Sequence, residues 1–444
     1  MIDIGISDWL TFGMWFLIAS IVIFIKNSIW NNPFSRFLFP AFLLKVLGGF
    51  AFVMVYHYYY EGGDTSYYFM GSNTLSDILF ESPSQYFKLL FSSTTEAEHI
   101  LRQLNKTIVY AHSDEEWFMV RLISPLTIIG LKSFLGTTFF MSLISLMGSW
   151  RLFKLMNKII PNREKTIFAI NFLVPSALFW GSGIMKDTIT MVCFFYVICW
   201  FYEMLYEKKY SIFRFLSMII LMFIIYKLKA YILLNLFPWI FFTLFLIFLN
   251  RSPSLFLKIV SLPFLLIVIS ITAYFISSFV MENSIEYNSD RFFANMQGFH
   301  DWNTYLGGSA YSLGDMEYTI PGIIQKAPQA INVTLFRPYL WEANTSFVLL
   351  TGIESSIMLL LTIWTIFKSK FKPIRILLKS PFLTGGLLFC LTFSFAIGLT
   401  AYNFGALARF KIPLMGLYLF ILLFIISNRN NKNVADENVE IISD

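Results

Sequence analysis

The chain has 444 residues, of which 57% are hydrophobic and only 14% are charged. A soluble protein of that length has more surface than so few charges can cover, so a soluble enzyme or binding module is excluded. The net charge of +6 does not point to nucleic acid, because most Lys and Arg sit in short loops between apolar runs, where membrane topology accounts for them.

The apolar runs have the length of about 18 to 25 residues that crosses a hydrocarbon core. They are continuous rather than alternating, which predicts helices and excludes a barrel. Spans are predicted near 9–26, 38–58, 134–155, 166–183, 186–206, 211–228, 231–249, 256–280, 344–367, 381–401 and 412–427. The expected fold is all-α: a polytopic transmembrane helical bundle of about 11 spans, forming one integral membrane domain over 1–444. Basic residues mark alternate connections: Lys26 and Arg36, then Arg151 to Lys165, Lys208 and Lys209, Arg251 to Lys258, Lys368 to Lys379, and the tail 429–444. The positive-inside rule makes these cytoplasmic. The N-terminus is then outside and the C-terminus inside a cell inner or plasma membrane.

The segment 117–132 is apolar enough to span, yet counting it would place every later basic loop outside. It is therefore read as a re-entrant or interfacial helix, with Pro125 and Gly130 suiting a broken helix packed on protein. The long loops 59–133 and 281–343 become extracytoplasmic, and 75–92 reads as an amphipathic helix with Leu75, Ile78, Leu79, Phe87 and Leu90 on one side. Cys193, Cys199 and Cys390 lie in apolar runs, so no disulfide is expected. The histidines have no metal-ligand spacing, and the acidic N-terminus lacks the basic region of a cleavable signal.

Polar residues collect at the predicted outer helix ends. Glu61 and Asp64 flank Gly62-Gly63 after a run of tyrosines. Glycines allow close backbone approach, so a carboxylate there suits a general base for a sugar hydroxyl, or a divalent cation. The plainer readings are an aromatic belt for the tyrosines and an Asx turn for Asp64. Lys186 and Asp187 open a helix after Gly181-Ser182-Gly183, which suits an anion site; a tight hairpin with a snorkelling lysine is the alternative. Lys227, Lys229 and Tyr231 occupy a short outer connection whose basic charge opposes the topology rule. Arg337 lies among Phe336, Tyr339 and Trp341, while Asn403, Arg409 and Lys411 lie among Tyr402, Phe404 and Phe410. Arginine forks suit phosphate oxygens, and cation–π anchoring is the competing use. Glu354 falls about ten residues into a span and has no partner nameable from sequence.

Two stretches resemble a known family. Ser182-Gly183-Ile184-Met185-Lys186-Asp187 is similar to the Ser-Gly-x-x-basic-polar motif of bacterial exopolysaccharide and O-antigen repeat-unit polymerases. Asn403-Phe404-Gly405, followed by Arg409-Phe410-Lys411 and Pro413, resembles the Asn-x-Gly…Arg-x-Arg…Pro segment near their C-terminus. The span number and the large late loop are similar too, whereas the family's usual Arg-Gln pair stands here as Lys186-Asp187. The Gly62-Gly63-Asp64 turn also resembles the acidic first-loop motif of GT-C lipid-linked glycosyltransferases, although here it follows the second span rather than the first.

These features lead to one expectation: a glycosyl-transferring membrane enzyme that polymerises polyprenyl-pyrophosphate-linked repeat units at the extracytoplasmic face. In that reading Asp64 or Glu61 is the catalytic base. Lys186, Lys227, Lys229, Arg337 and Arg409 would hold pyrophosphate, with Asp187, Tyr231, Asn403 and Lys411 also in the substrate site. The expected partners are the lipid-linked glycan, membrane lipid and other polysaccharide-assembly proteins, with no nucleic acid. No organic cofactor is expected, and a divalent cation is compatible with the carboxylates. A GT-C-type single-sugar transferase and a polysaccharide flippase or transporter are the rival classes.

Overall fold

The computed structural model describes residues 2, 4–29, 33–251, 297–298, 300–302, 305 and 307–429. The predicted span at 256–280, much of the loop 281–343 and the tail after Arg429 lie outside these residues. Among the described residues the protein is helical, and the one β pairing is an isolated bridge between Ala310 and Asn403. Where the sequence presents one continuous apolar chain, the structure divides into two compact units. The first comprises Met1–Phe201 and Tyr210–Lys229, the second Tyr202–Lys209 and Ala230–Asp444.

The first unit is built on α1 (Ile6–Ile29), α2 (Ser35–Tyr58), α3 (Asp64–Glu81), α4 (Pro83–Phe91), α5 (Thr94–Gln103), α6 (Asp114–Ile129), α7 (Phe134–Ile159), α8 (Glu164–Phe172), α9 (Pro175–Trp180) and most of α10 (Lys186–Tyr206). Its last part is the start of α11 (Ile212–Arg251), which runs on into the second unit. There follow α12 (Ile320–Gln325), α13 (Ala327–Phe336), α14 (Ser346–Lys368), α15 (Pro373–Leu377), α16 (Pro381–Thr400), α17 (Phe404–Phe410) and α18 (Ile412–Ser427). Seven of the described helices are long and apolar enough to cross a membrane: α1, α2, α7, α10, α11, α14 and α16. The pair α17–α18, bent by 66°, makes an eighth if counted as one broken span.

The departures from the expected spans have local causes. Proline lacks a donor and pushes its predecessor out of helical geometry, so Val174-Pro175 splits the predicted 166–183 span into α8 and α9. The predicted 75–92 helix divides in the same way at Ser82-Pro83, where Ser82 is extended. Leu75 and Ile78 of that stretch are buried, while Phe87 is exposed. The predicted spans 211–228 and 231–249 correspond to the two halves of α11, which meet at a kink at Lys229, with φ −156° and ψ 75°. A straight helix of its 40 residues would reach about 60 Å, twice a hydrocarbon core.

Contacts in the first unit bring several helix termini to one end. The buried Asp8 carboxylate accepts from Ser133 Oγ (2.6 Å) and the Phe134 N–H (2.8 Å), placing the start of α1 against the start of α7. A negative side chain is favourable at that helix N-terminus. Gly49, past the middle of α2, packs so closely on Ser142 of α7 that an added methyl would collide with the Ser142 hydroxyl. Ser142 and Ser145 of α7 donate to the carbonyls of Ser182 and Gly181, pinning the buried turn before α10. The start of α1 thus meets the start of α7, while the turn before α10 lies against the first half of α7 and the later part of α2. The first turn of α6 meets Lys186, and the turn after α6 leads into α7.

In the second unit α13 lies on α16, with Thr334 Oγ1 donating to the Ser394 carbonyl (2.7 Å) and Gly398 against the Ala330 backbone. Trp239, in the later part of α11, is buried and donates to the Phe382 carbonyl (2.8 Å). Thr362 of α14 and Tyr418 of α18 share a hydrogen bond of 2.9 Å.

Candidate functional site

The polar centre of the first unit begins at the glycine turn after α2. Glu61, Gly62 and Gly63 all have positive φ (54°, 138° and 118°), and such a run needs glycine. The turn delivers Asp64 as the first residue of α3. Gly63 caps that helix without a side-chain bond, so Asp64 is not spent as a cap. Instead its Oδ1 accepts a hydrogen bond from the Tyr110 hydroxyl at 3.0 Å. Burial pushes the Tyr110 phenol well up, and Asp64 and Glu116 push it further, so Tyr110 is a donor throughout the physiological range. Tyr67 and Tyr68 pack on its ring, with centroids 5.4 and 5.1 Å away.

Glu116 links this carboxylate to the start of α10. Lys186 Nζ donates to Glu115 Oε2 and Glu116 Oε1, each at 2.8 Å. Ser113 Oγ donates to the other oxygen of Glu116. Burial alone would raise the Glu116 carboxyl; Lys186 and Ser113 outweigh it and hold the group below the ordinary carboxylate range. The anion expected at the start of α10 is therefore supplied by the chain itself.

The next residue completes the network. Asp187 Oδ1 accepts from Lys229 Nζ at 2.5 Å, with side chains 3% and 6% exposed. Lys229 is the single non-helical residue of α11. Four separated stretches thus meet: Asp64, Tyr110 to Glu116, Lys186-Asp187 and Lys229. The cluster holds two more carboxylates than lysines, so it is not an empty cationic cradle. It is an acidic site in which each lysine already has a carboxylate partner.

The structure places the other expected residues elsewhere. Glu61 is exposed at the turn, and Lys227 is half-buried two residues before the break in α11. Arg121 of α6 donates to the Leu90 and Ser92 carbonyls at the end of α4. The remaining ones belong to the second unit. Tyr231 stacks on Phe393 at 5.8 Å. Arg337 grips Glu342 through Nε and Nη2 and lies over the Phe404 ring, so its fork is already engaged. Asn403 caps α17 by accepting from the Gly405 and Ala406 N–H groups. Arg409 is half-buried over Phe410. Lys411 stands at the bend between α17 and α18, wholly buried, donating to Ser355 Oγ at 3.0 Å. The charge of Glu354 acts on it, which supplies the partner that the sequence did not reveal. Lys45 of α2 is also buried, at 2% exposed.

Three contributors went unseen in the sequence: Tyr110, Glu115 and Glu116. The available signal was Ser113-x-x-Glu116 ahead of an apolar run, the pattern of a capping box. Among the described residues no group of three or more His, Cys, Asp or Glu is arranged to hold a metal ion. No protein-family model, curated protein or solved structure matches this chain.

Proposed function

We propose that the protein is a membrane glycosyltransferase that polymerises polyprenyl-pyrophosphate-linked glycan units, with its reaction centre at the Asp64–Glu116–Lys186 end of the first unit. The observation that carries the reading is the convergence of that network from four separate stretches at one end of a set of membrane-length helices. Ionisable groups are expensive next to hydrocarbon, and their retention in number favours a working site over an anchor.

The basic residues Lys26, Arg36, Arg151, Lys154 and Lys158 sit at the opposite helix ends. Placing those on the cytoplasmic side puts the network on the extracytoplasmic face. On this reading α6 dips into the membrane or rests at its surface without crossing, and the contact of its first turn with Lys186 is compatible with that.

In the reaction we assign to this site, Asp64 takes the proton of the acceptor sugar hydroxyl. The acceptor oxygen bonds to the anomeric carbon of the donor. The anomeric bond to the pyrophosphate breaks, and its electron pair leaves with the lipid pyrophosphate. Tyr110 orients Asp64. Lys186 has three N–H groups and uses two on Glu115 and Glu116, so it can meet the departing phosphate while keeping a carboxylate partner. The exposed rings of Tyr60 and Tyr67 beside the glycine turn offer faces for sugar rings.

The test is Asp64→Ala in cells. The variant should insert and accumulate normally yet yield only single-unit lipid-linked glycan; full-length polymer would end the assignment. Purified protein offered single-sugar and oligosaccharide lipid donors separates polymerisation from single-sugar transfer.

A further inference from the structure

The second unit holds a cavity of about 310 Å³ that none of the residues expected to be functional lines. Its walls include His300, Asp301, Ser312, Asp315, Tyr318 and Tyr402. The volume is at the small end for a ligand pocket, the scale of a sugar residue rather than of a lipid chain.

The cavity is built, not incidental. One wall is the segment 309–313, stitched to the turn before α17. The Tyr311 N–H donates to the Tyr402 carbonyl (3.0 Å), the Phe404 N–H to the Ser309 carbonyl (2.9 Å), and the Tyr311 hydroxyl to the Gly398 carbonyl (3.0 Å). Lys326 Nζ holds the rim by donating to the Leu313 carbonyl (2.9 Å). Tyr402 has a φ of 46°, a left-handed conformation that a bulky residue seldom takes and that persists only where its surroundings enforce it. That backbone turns the Tyr402 ring to the cavity, where the His300 imidazole packs on it at 5.1 Å.

The lining determines the class of ligand. Asp301 and Asp315 face the cavity and would repel a phosphate or pyrophosphate, and Lys326 at the rim is engaged by the Leu313 carbonyl. Asp315 and Asp301, the latter already meeting the His300 ring at 3.1 Å, can accept from hydroxyls, and Ser312 and Tyr318 can also donate. A bare ammonium ion would make no use of the donors. We infer that this cavity binds an uncharged sugar residue of the glycan, separately from the carboxylate–lysine network of the first unit. The inference rests on the glycosyl-transfer reading for its ligand and on the cavity lining for its place.

Saturation-transfer NMR on the full-length protein in nanodiscs tests it, with maltotriose, cellotriose and chitotriose as probes. At least one trisaccharide should receive saturation. The Asp301→Asn/Asp315→Asn double variant should weaken it about 10-fold or more, the scale of a lost hydrogen bond to a charged group. Asp64→Ala should leave it unchanged. No transfer to any of the three, an unchanged signal in the double variant, or displacement of the sugar by tetramethylammonium would overturn the proposal. Failure of the glycosyl-transfer reading looks different: polymer made by Asp64→Ala cells, with trisaccharide binding intact.

Discussion

Each unit contains buried paired charge, and the two arrangements differ in how they meet solvent. In the first, exposure falls inward: Glu115 and Glu116 have side chains 27% and 22% exposed, Lys186 10%, and Asp187 and Lys229 almost none. In the second, Lys411 is wholly enclosed with Glu354 and Ser355, and the outer pair Arg337–Glu342 is complete in itself. A graded network can exchange a partner with an incoming ligand while its inner pair stays fixed. An enclosed pair cannot do so without opening the helices around it. The first arrangement suits chemistry and the second suits holding a bent helix in place.

Double replacements give the sharpest break of that contrast. Lys229→Ala or Lys411→Ala should each cost about 3–5 kcal/mol, because each strands a buried carboxylate. Melting in detergent measures this. The apolar swaps Asp187→Leu/Lys229→Leu and Glu354→Leu/Lys411→Leu should both recover most of the lost stability. Polymer synthesis should return only for the second swap, and its return for the first would erase the distinction.

A smaller effect is expected at the orienting tyrosine. Tyr110→Phe removes the hydroxyl on Asp64 and should slow transfer about 5- to 10-fold, or ~1 kcal/mol after allowing for partial exposure, with melting little changed. A drop in melting temperature with undiminished transfer would make Tyr110 a packing residue.

The acid limb of stability probes Glu116. Its carboxyl is held low in the folded protein, first against the burial that would raise it, by Lys186 and Ser113. The stabilisation is therefore complete above the unfolded carboxylate value of about 4.3 and is withdrawn as pH falls through the lowered value. Glu116→Gln should flatten the loss of stability below about pH 4. An identical acid limb in the variant would show that Glu116 is not coupled to Lys186 in solution. Smallest of all, Arg337→Lys should change stability by less than about 1 kcal/mol and leave polymer length as it was. Shortened chains in that variant would put Arg337 in the site after all.

How much of this was legible depended on whether a residue violated a rule of its surroundings. Asp64 stood behind a Gly-Gly turn, and Lys229 carried positive charge where topology opposes it. Both stood out, and both lie in the network. Glu115 and Glu116 sit in an acidic loop where charge is ordinary, so nothing in composition marked them. Glu354 was conspicuous, but Lys411 lies 57 positions later, beyond the reach of local periodicity. The span pattern failed where proline acted: a window of apolar residues cannot see that Pro175 splits one run. Between 211 and 249 the opposite happened, and a polar connection turned out to be a single non-helical residue.

The close approach of α2 to α7 and to the turn before α10 has a consequence of its own. Added side-chain volume at Gly49 would meet Ser142, and at Gly183 it would meet Phe52. These contacts work as a spacing gauge. They set where the Asp64 turn stands relative to the head of α10, so a single methyl there would shift Asp64 against Lys186 without touching either.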